Sequence, residues 1–416
     1  MTRQPRKESS KEFIFAYGRG VLILLVVLFA DHSLVHAETV RAEAGIRCLP
    51  SFPLQEGWLG ADAAYSIPLP DGRSVWIFGD TLYGERRTVN GEEPRMVRNS
   101  IGVSRCDAKG QWSLRYVIRH AQSGSPLDFF QAQVLHPKES HTWYWALDGF
   151  VRDKELWVTL LCVRNARIKR PGGFNFETCG ADLARVSGLD ADPQNWEVKY
   201  FPLVRDGVAA YPSATAVVNE GYVYLFALYE KDARPMLLTR IPLAALDAPA
   251  ANLQFLAKEK KDKKEPGKWE PGFRPGFAWA VMDRGTSEMT IRYHPDLKKW
   301  LAVMRSPDLS SDAIVVRTAP AITGPWSPAE AVYHIPELQK DSPEYDKNVF
   351  CYAGKEHPEF ERPGSLVITY VCNTMKVPNL VTNSKIYVPK VIEVPVPATM
   401  ASHPIPDPTK SGVEGN

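Results

Sequence analysis

The 416-residue chain lacks a long apolar run, an excess of one charge sign, and more than a handful of cysteines. Its best apolar stretch, Val21–Ala30, is shorter than the ~20 residues that a membrane helix needs. Arg3, Arg6, Lys7, Lys11 and Arg19 precede it, and Leu34-Val-His-Ala37 follows with a small residue suited to signal peptidase. Residues 1–37 therefore read as an export signal, with an uncleaved anchor as the alternative and no cysteine near residue 38 for a lipoprotein. The formal net charge is +2, and residues 1–37 carry five bases against three acids, so the remainder is close to neutral. That leaves no electrostatic footprint for nucleic acid. The run Lys258–Lys268 has six lysines among three acids and reads as a solvated loop.

No GxSxG elbow, GxGxxG turn after a first strand or phosphate-cradling P-loop is present. Gly172-Gly173 has no strand–helix setting to bind phosphate. There is no repeated SxDxGxxW turn of the sialidase type and no EF-hand loop. No cofactor is expected; carboxylates could hold calcium on an axis, but no motif supports it. The six cysteines show no zinc spacing. In an exported chain they suit disulfides: Cys162 with Cys179 most readily, Cys351 and Cys372 flanking the last hairpin, and Cys48 within reach of Cys106. Connectivity is not set by spacing alone.

Short β-type runs are abundant. The stretch Ala61–Tyr83 reads as a hairpin, with a turn at Pro70-Asp71-Gly72 between an apolar run and SVWIF. Residues paired across a hairpin keep a constant index sum, so a turn near Asp71 sets Asp62 opposite Asp80. Two carboxylates that close resist joint ionisation, which separates an acid from a base. Both could equally be hairpin-end caps.

The same turn-then-strand unit recurs four times: RDKE then LWVTLLC, NEG then YVYLFALY, PDLKK then WLAVMRS, and RPG then SLVITYVC. Turn anchors at 71, 153, 220, 296 and 362 are followed by third-strand candidates at 99–105, 180–186, 236–241, 312–318 and 385–391. Aromatic segments at Trp112, Trp196, Phe255 and Trp326 suggest a fourth strand. Five such units predict an all-β, five-bladed β-propeller over 55–396, with two β-sandwiches as the alternative. Residues 38–54 are a lead-in able to supply a strand to the last blade, and the Pro-rich residues 397–416 read as a disordered tail.

In a propeller the first strand of every blade lines the axis, so functional side chains should precede each turn. Counting back collects Asp62, then Trp145 and Asp148, then Tyr211, then Glu288 and Arg292, then Lys355 and His357. Carboxylates, basic donors and aromatic faces together suit a sugar. Taken singly, each has a plainer explanation: Glu288 and Arg292 as a surface pair, Asp148 as a turn residue, His357 and Tyr211 as packed rings.

The segment GWLGADAAYSIPLPDGRSVWIFGDT followed by RNSIG resembles the opening of a family of bacterial exported five-bladed propeller domains long catalogued without function. WYWALDGFVRDKELWV, SEMTIRYHPDLKKWLAVM, TAPAITGPWS and YAGKEHPEF resemble its later units, over roughly 55–395. Some relatives are endo-acting D-arabinan hydrolases of the arabinanase-like group. The resemblance implies a glycoside hydrolase with Asp62 and Asp80 as the catalytic pair and Glu288 beside them, acting on a furanose-containing or similar polysaccharide outside the cytoplasm. WALDG at 145–149 and the loop at 164–178 depart from the pattern, where subsite shape is set. A non-catalytic carbohydrate- or protein-binding propeller of the envelope, and a polysaccharide lyase using Tyr211 or His357, are the competing readings.

Overall fold

Runs such as SVWIFG, LWVTLL and YVYLFAL are apolar at both parities, so each strand needs cover on both faces. A propeller supplies it, because every sheet is sandwiched between two others. The computed structural model describes residues 47–84, 95–137, 141–168, 174–231, 233–259, 266–376, 379–380 and 383–401. The expected signal, the first part of the lead-in, residues 260–265 of the basic run and the tail beyond 401 lie outside the described residues.

The chain forms a five-bladed β-propeller. Its blades are antiparallel sheets whose first strands are Trp58–Pro68, Thr142–Arg152, Ala210–Asn219, Met289–His294 and Val349–Glu356. Each first strand touches that of the next blade, and the fifth touches the first, closing a ring around the axis. The turns sit where the anchors put them. Gly72 and Gly221 take left-handed backbone (φ 81° and 78°) that other residues adopt only with strain. The core lies in the seams between blades. Phe226, Met236 and Leu238 pack on Met289 and Ile291 between blades 3 and 4, and Leu301 and Val303 pack on Leu366 and Ile368 between 4 and 5.

No strand is exchanged to close the ring among the described residues. Among the described residues blade 5 has three strands, and residues 47–54 of the lead-in join blades 1 and 5 through side chains instead of a ladder. Cys48 is bonded to Cys106 of blade 1, while Arg47 pairs with Glu393 on the outer strand of blade 5 at 2.9 Å. Trp76 of blade 1 stacks on Phe360 of blade 5 (5.7 Å) within the seam that also buries Trp58, Phe78 and Val367.

Four boundaries differ from the sequence reading. The fourth strand of blade 4 is Glu330–His334, past the aromatic segment at Trp326, whose ring packs against the core between blades 3 and 4. The third strand of blade 5 is Lys390–Pro395, not 385–391, because Tyr387 takes left-handed backbone and buries its ring beside Leu59 and Leu82. Residues 266–268, read as part of a loop, begin an added strand of blade 3, Pro266–Pro271, in which Trp269 pairs with Leu256. Residues 398–401, placed in the tail, form a helical turn: Met400 is buried in the blade 4–5 seam and its carbonyl accepts from Lys299 at 2.9 Å. The other two expected disulfides, Cys162–Cys179 and Cys351–Cys372, are both present. No helix among the described residues is long and apolar enough to cross a membrane.

Candidate active site

Four of the five first strands carry a β-bulge: at Ala61–Tyr65, Ala146–Asp148, Pro212–Thr215 and Tyr352–Lys355. A bulge breaks the pairing and re-aims the neighbouring side chain. In blade 1 the register runs Ala61 with Thr81 and then Ala63 with Phe78, leaving Asp62 opposite Gly79 and Asp80 without a ladder partner of its own. Ala63 and Ala64 absorb the distortion with φ of 69° and 82°. The lack of a side chain at Gly79 makes room, since a Cβ there would sit 2.0 Å from Asp62 Oδ1.

Asp62 and Asp80 thus lie side by side at one end of the axis. Tyr352 of blade 5 donates to Asp62 Oδ2 at 3.2 Å, and the Tyr387 hydroxyl is a second donor. Arg98 pairs with Asp80 Oδ2 at 2.9 Å, and the indole of Trp145 donates to Oδ1 at 3.4 Å. Burial pushes the Asp62 carboxyl well above the usual carboxylate range, and the neighbouring charges of Asp80 and Glu288 push it further. Asp80 is also raised by burial, but Arg98 and the Trp145 indole pull against that. Glu288, reached from blade 4, accepts from Tyr65 of blade 1 at 2.8 Å; burial raises it, while Tyr65 and the Lys355 charge oppose the rise. The result is three neighbouring carboxyl groups, of which Asp80 alone has a guanidinium partner among the recorded ion pairs of the described residues.

An aromatic wall connects the two aspartates over the far side of the mouth. Trp145 meets Phe176 edge-on at 4.8 Å, Phe176 meets Phe174 at 5.5 Å, Phe174 meets Phe350 at 5.9 Å, and Phe350 stacks on Tyr352 at 5.6 Å. Phe174 and Phe176 lie in the loop closed by Cys162–Cys179, so blade 2 reaches blade 5 across blade 1. Phe174 remains 57% exposed, leaving an aromatic face open to solvent.

The remaining residues expected at the mouth fall elsewhere. Asp148 is 1% exposed and fully engaged by Thr215 (2.5 Å), the Ala216 amide (2.9 Å) and Arg292 (3.2 Å). Burial works against its charge, but Arg292, Lys355 and those hydrogen bonds outweigh it and hold it below the usual range. Lys355 is sealed beneath the mouth, bonded to the Leu147 carbonyl and 3.9 Å from the Tyr65 ring centre; burial lowers it to about 8. His357 is wholly buried, with Ser66 and Thr369 each 2.7 Å from a ring nitrogen, and burial lowers it to about 3. Tyr211 is buried in the core near Asp206 and Glu230. Asp148, Arg292 and Lys355 form a charged floor that joins blades 2, 4 and 5, and neither His357 nor Tyr211 presents a free base. Conversely, the sequence reading passed over Tyr65, Arg98, Phe174, Phe350, Tyr352 and Tyr387. Arg98 in RNSIG and the phenylalanines inside the expected disulfide loop carried the only local signal. A hollow of about 600 Å³ opens among the hairpin ends at the other end of the axis, lined by Ile67, Phe150, Val217 and Trp300; it holds none of Asp62, Asp80 and Glu288.

Fold and site define a five-bladed propeller with a carboxylate cluster at one axial mouth. Residues 52–396 match the family model described as a domain of unknown function, DUF5005, and the chain belongs to that family. Among solved structures it is similar to a "putative hydrolase" from Bacteroides ovatus ATCC 8483, with 18% identity, TM-score 0.60, and coverage of 81% of this chain and 86% of that one. It is also matched to a xylan beta-1,4-xylosidase from Bacillus halodurans C-125 (12% identity, TM-score 0.42, 80% of this chain and 51% of that one). A third match is a GH43_1 enzyme from Xanthomonas citri complexed with xylose (11%, TM-score 0.39, 83% and 90%). At these identities the likeness is one of fold. No curated protein matches the chain.

Proposed function

We propose that this protein is a glycoside hydrolase acting on a furanose-containing or similar polysaccharide outside the cytoplasm. The observation that carries the reading is the meeting of Asp62, Asp80 and Glu288, from blades 1 and 4, under an aromatic wall. Glycoside hydrolysis needs one carboxyl kept protonated and one ionised across the scissile bond. Asp80, held by Arg98 and Trp145, is the ionised member and serves as base or nucleophile. Asp62, raised by burial, Asp80 and Glu288, donates its proton to the leaving oxygen. Glu288 keeps that proton in place through its own charge. The aromatic faces of Trp145, Phe174 and Phe350 suit the apolar face of a sugar ring. Three disulfides fit an oxidising compartment, as the basic-then-apolar N-terminus does.

The test is a polysaccharide panel with product analysis, followed by Asp62→Asn and Asp80→Asn on whichever glycan is cleaved. Each variant is expected to lose roughly 10²–10⁴-fold in turnover with folding intact. Asp62→Asn should lose far less on an aryl glycoside whose leaving phenol needs no proton, whereas Asp80→Asn should lose activity on both. Retention of at least about a tenth of wild-type rate by both variants would remove this pair from the chemistry. Binding of a glycan without cleavage would favour the envelope-binding reading.

A further inference from the structure

At the end of the axis opposite Asp62 and Asp80, blades 4 and 5 bring a second set of titratable side chains together. His294 ends the strand Met289–His294, Glu356 ends Val349–Glu356, and Glu361 follows the 3-10 turn Pro358–Phe360. One imidazole nitrogen and two carboxylate oxygens, one from each of the three residues, lie within 4.8 Å of one another. Tetrahedral ligands bonded to one ion at about 2.0–2.2 Å stand roughly 3.3–3.6 Å apart, inside that limit.

Glu356 is 2% exposed, and both of its carboxylate oxygens are sealed from solvent with no well-aligned hydrogen bond; the groups that approach it are the His294 imidazole and the Glu361 carboxyl, another acid. Oε1 lies 2.6 Å from His294 Nε2, close enough for an ion pair but out of hydrogen-bonding alignment. Glu359, between the other two acids in sequence, has one carboxylate oxygen in the same state. Arg292, whose field also reaches Glu356 and Glu359, is already committed to Asp148. A buried carboxylate without hydrogen bonds or a full counter-charge is costly, and the usual remedies are a partner or a metal.

We propose that His294, Glu356 and Glu361 bind a divalent first-row transition cation, of which Zn²⁺ is the best fit, as a staple between blades 4 and 5. One imidazole with two carboxylates suits such a cation, whereas magnesium and calcium take oxygen-only sets. Three protein ligands leave a fourth tetrahedral position for a water. The staple would matter because, among the described residues, blade 5 has three strands and no exchanged strand joins it to a neighbour. This site is separate from the carboxylates at the mouth and does not rest on the hydrolase reading.

The experiment uses the full chain purified without chelator. Elemental analysis should find about one zinc per chain, and EDTA should remove it and lower the unfolding temperature. Calorimetric titration of ZnCl₂ into the stripped protein should recover one site and restore that temperature. His294→Gln and Glu361→Gln should each weaken zinc affinity by roughly 10–100-fold or more, while Glu330→Gln on an outer strand should not. Binding at wild-type strength in both variants would overturn the assignment. So would the absence of Zn²⁺ and Mn²⁺ binding by the wild type together with an unfolding temperature indifferent to EDTA, which would make the cluster a proton-sharing network. The wild-type titration decides the matter even if a variant fails to fold.

Discussion

Gly79→Ala is a one-methyl perturbation whose effect can be worked from the geometry of the mouth. Gly79 has no left-handed backbone, so alanine costs nothing in conformation; the whole effect is collision. The new Cβ would stand 2.0 Å from Asp62 Oδ1 and 3.1 Å from its Cγ, whereas ordinary contact begins near 3.4 Å. The carboxylate must retreat by about 1.4 Å or the strands must part, and either breaks the 3.2 Å bond from Tyr352. Overpacking of this kind costs roughly 1–3 kcal/mol of stability. A misplacement of about 1 Å in a reacting group can cost about 10²-fold in rate. Urea unfolding and initial rates on a cleaved glycan, normalised to folded protein, give the two readouts. The stability arm needs no substrate: in an Asp62→Ala background the obstacle is gone, and Gly79→Ala should cost only a few tenths of a kcal/mol, roughly the limit of additivity. An equal cost in both backgrounds, or a single variant within about threefold of wild-type rate, would refute the placement of Asp62 over Gly79.

Other outcomes follow from the buried groups. His357 is lowered to about 3, so the folded state refuses a proton that the unfolded chain accepts near 6.5; stability present above about pH 6.5 is lost as pH falls toward 3, and His357→Asn should flatten that fall in urea titrations across pH. Lys355 is lowered to about 8 against an ordinary 10.5, so the folded state releases its proton first and stability rises with pH between those values; Lys355→Met should remove the rise. Replacing Cys162 and Cys179 together by alanine opens a 17-residue separation and should cost about 3 kcal/mol in unfolding free energy, with weaker substrate affinity because Phe174 and Phe176 lose their tether. Phe174→Ala should raise KM on a polymeric substrate while leaving kcat near wild type, since its exposed ring touches none of the three carboxyl groups in the recorded contacts. An unchanged KM would count against the aromatic wall as a sugar surface.

Local pattern carried the sequence reading a long way, and its reach ended where contacts became remote. Strand runs apolar at both parities and turn residues at five anchors are local properties, so the blade count was legible, as were Cys162–Cys179 and Cys351–Cys372, 17 and 21 residues apart. The hairpin's index sums brought Asp62 into the neighbourhood of Asp80, but the direct pairing they predict is broken by the bulge between Ala61 and Ala63, which pattern alone does not state. What lay beyond was every meeting between blades. Tyr65 reaches Glu288 across 223 residues, and Phe174 reaches Phe350 between blades that are not consecutive. His357 before a proline reads alike whether its ring lines a mouth or fills a core, and only burial between Ser66 and Thr369 decided it. Asp148, likewise expected at the mouth with a turn as its plainer explanation, is instead aimed at Arg292 by the bulge at 146–148. Strand and turn follow from the φ/ψ preferences and polarity of near neighbours, which the sequence states directly. Bulges and ring closure depend on how five sheets share one axis, and that packing exists only once the whole chain has folded.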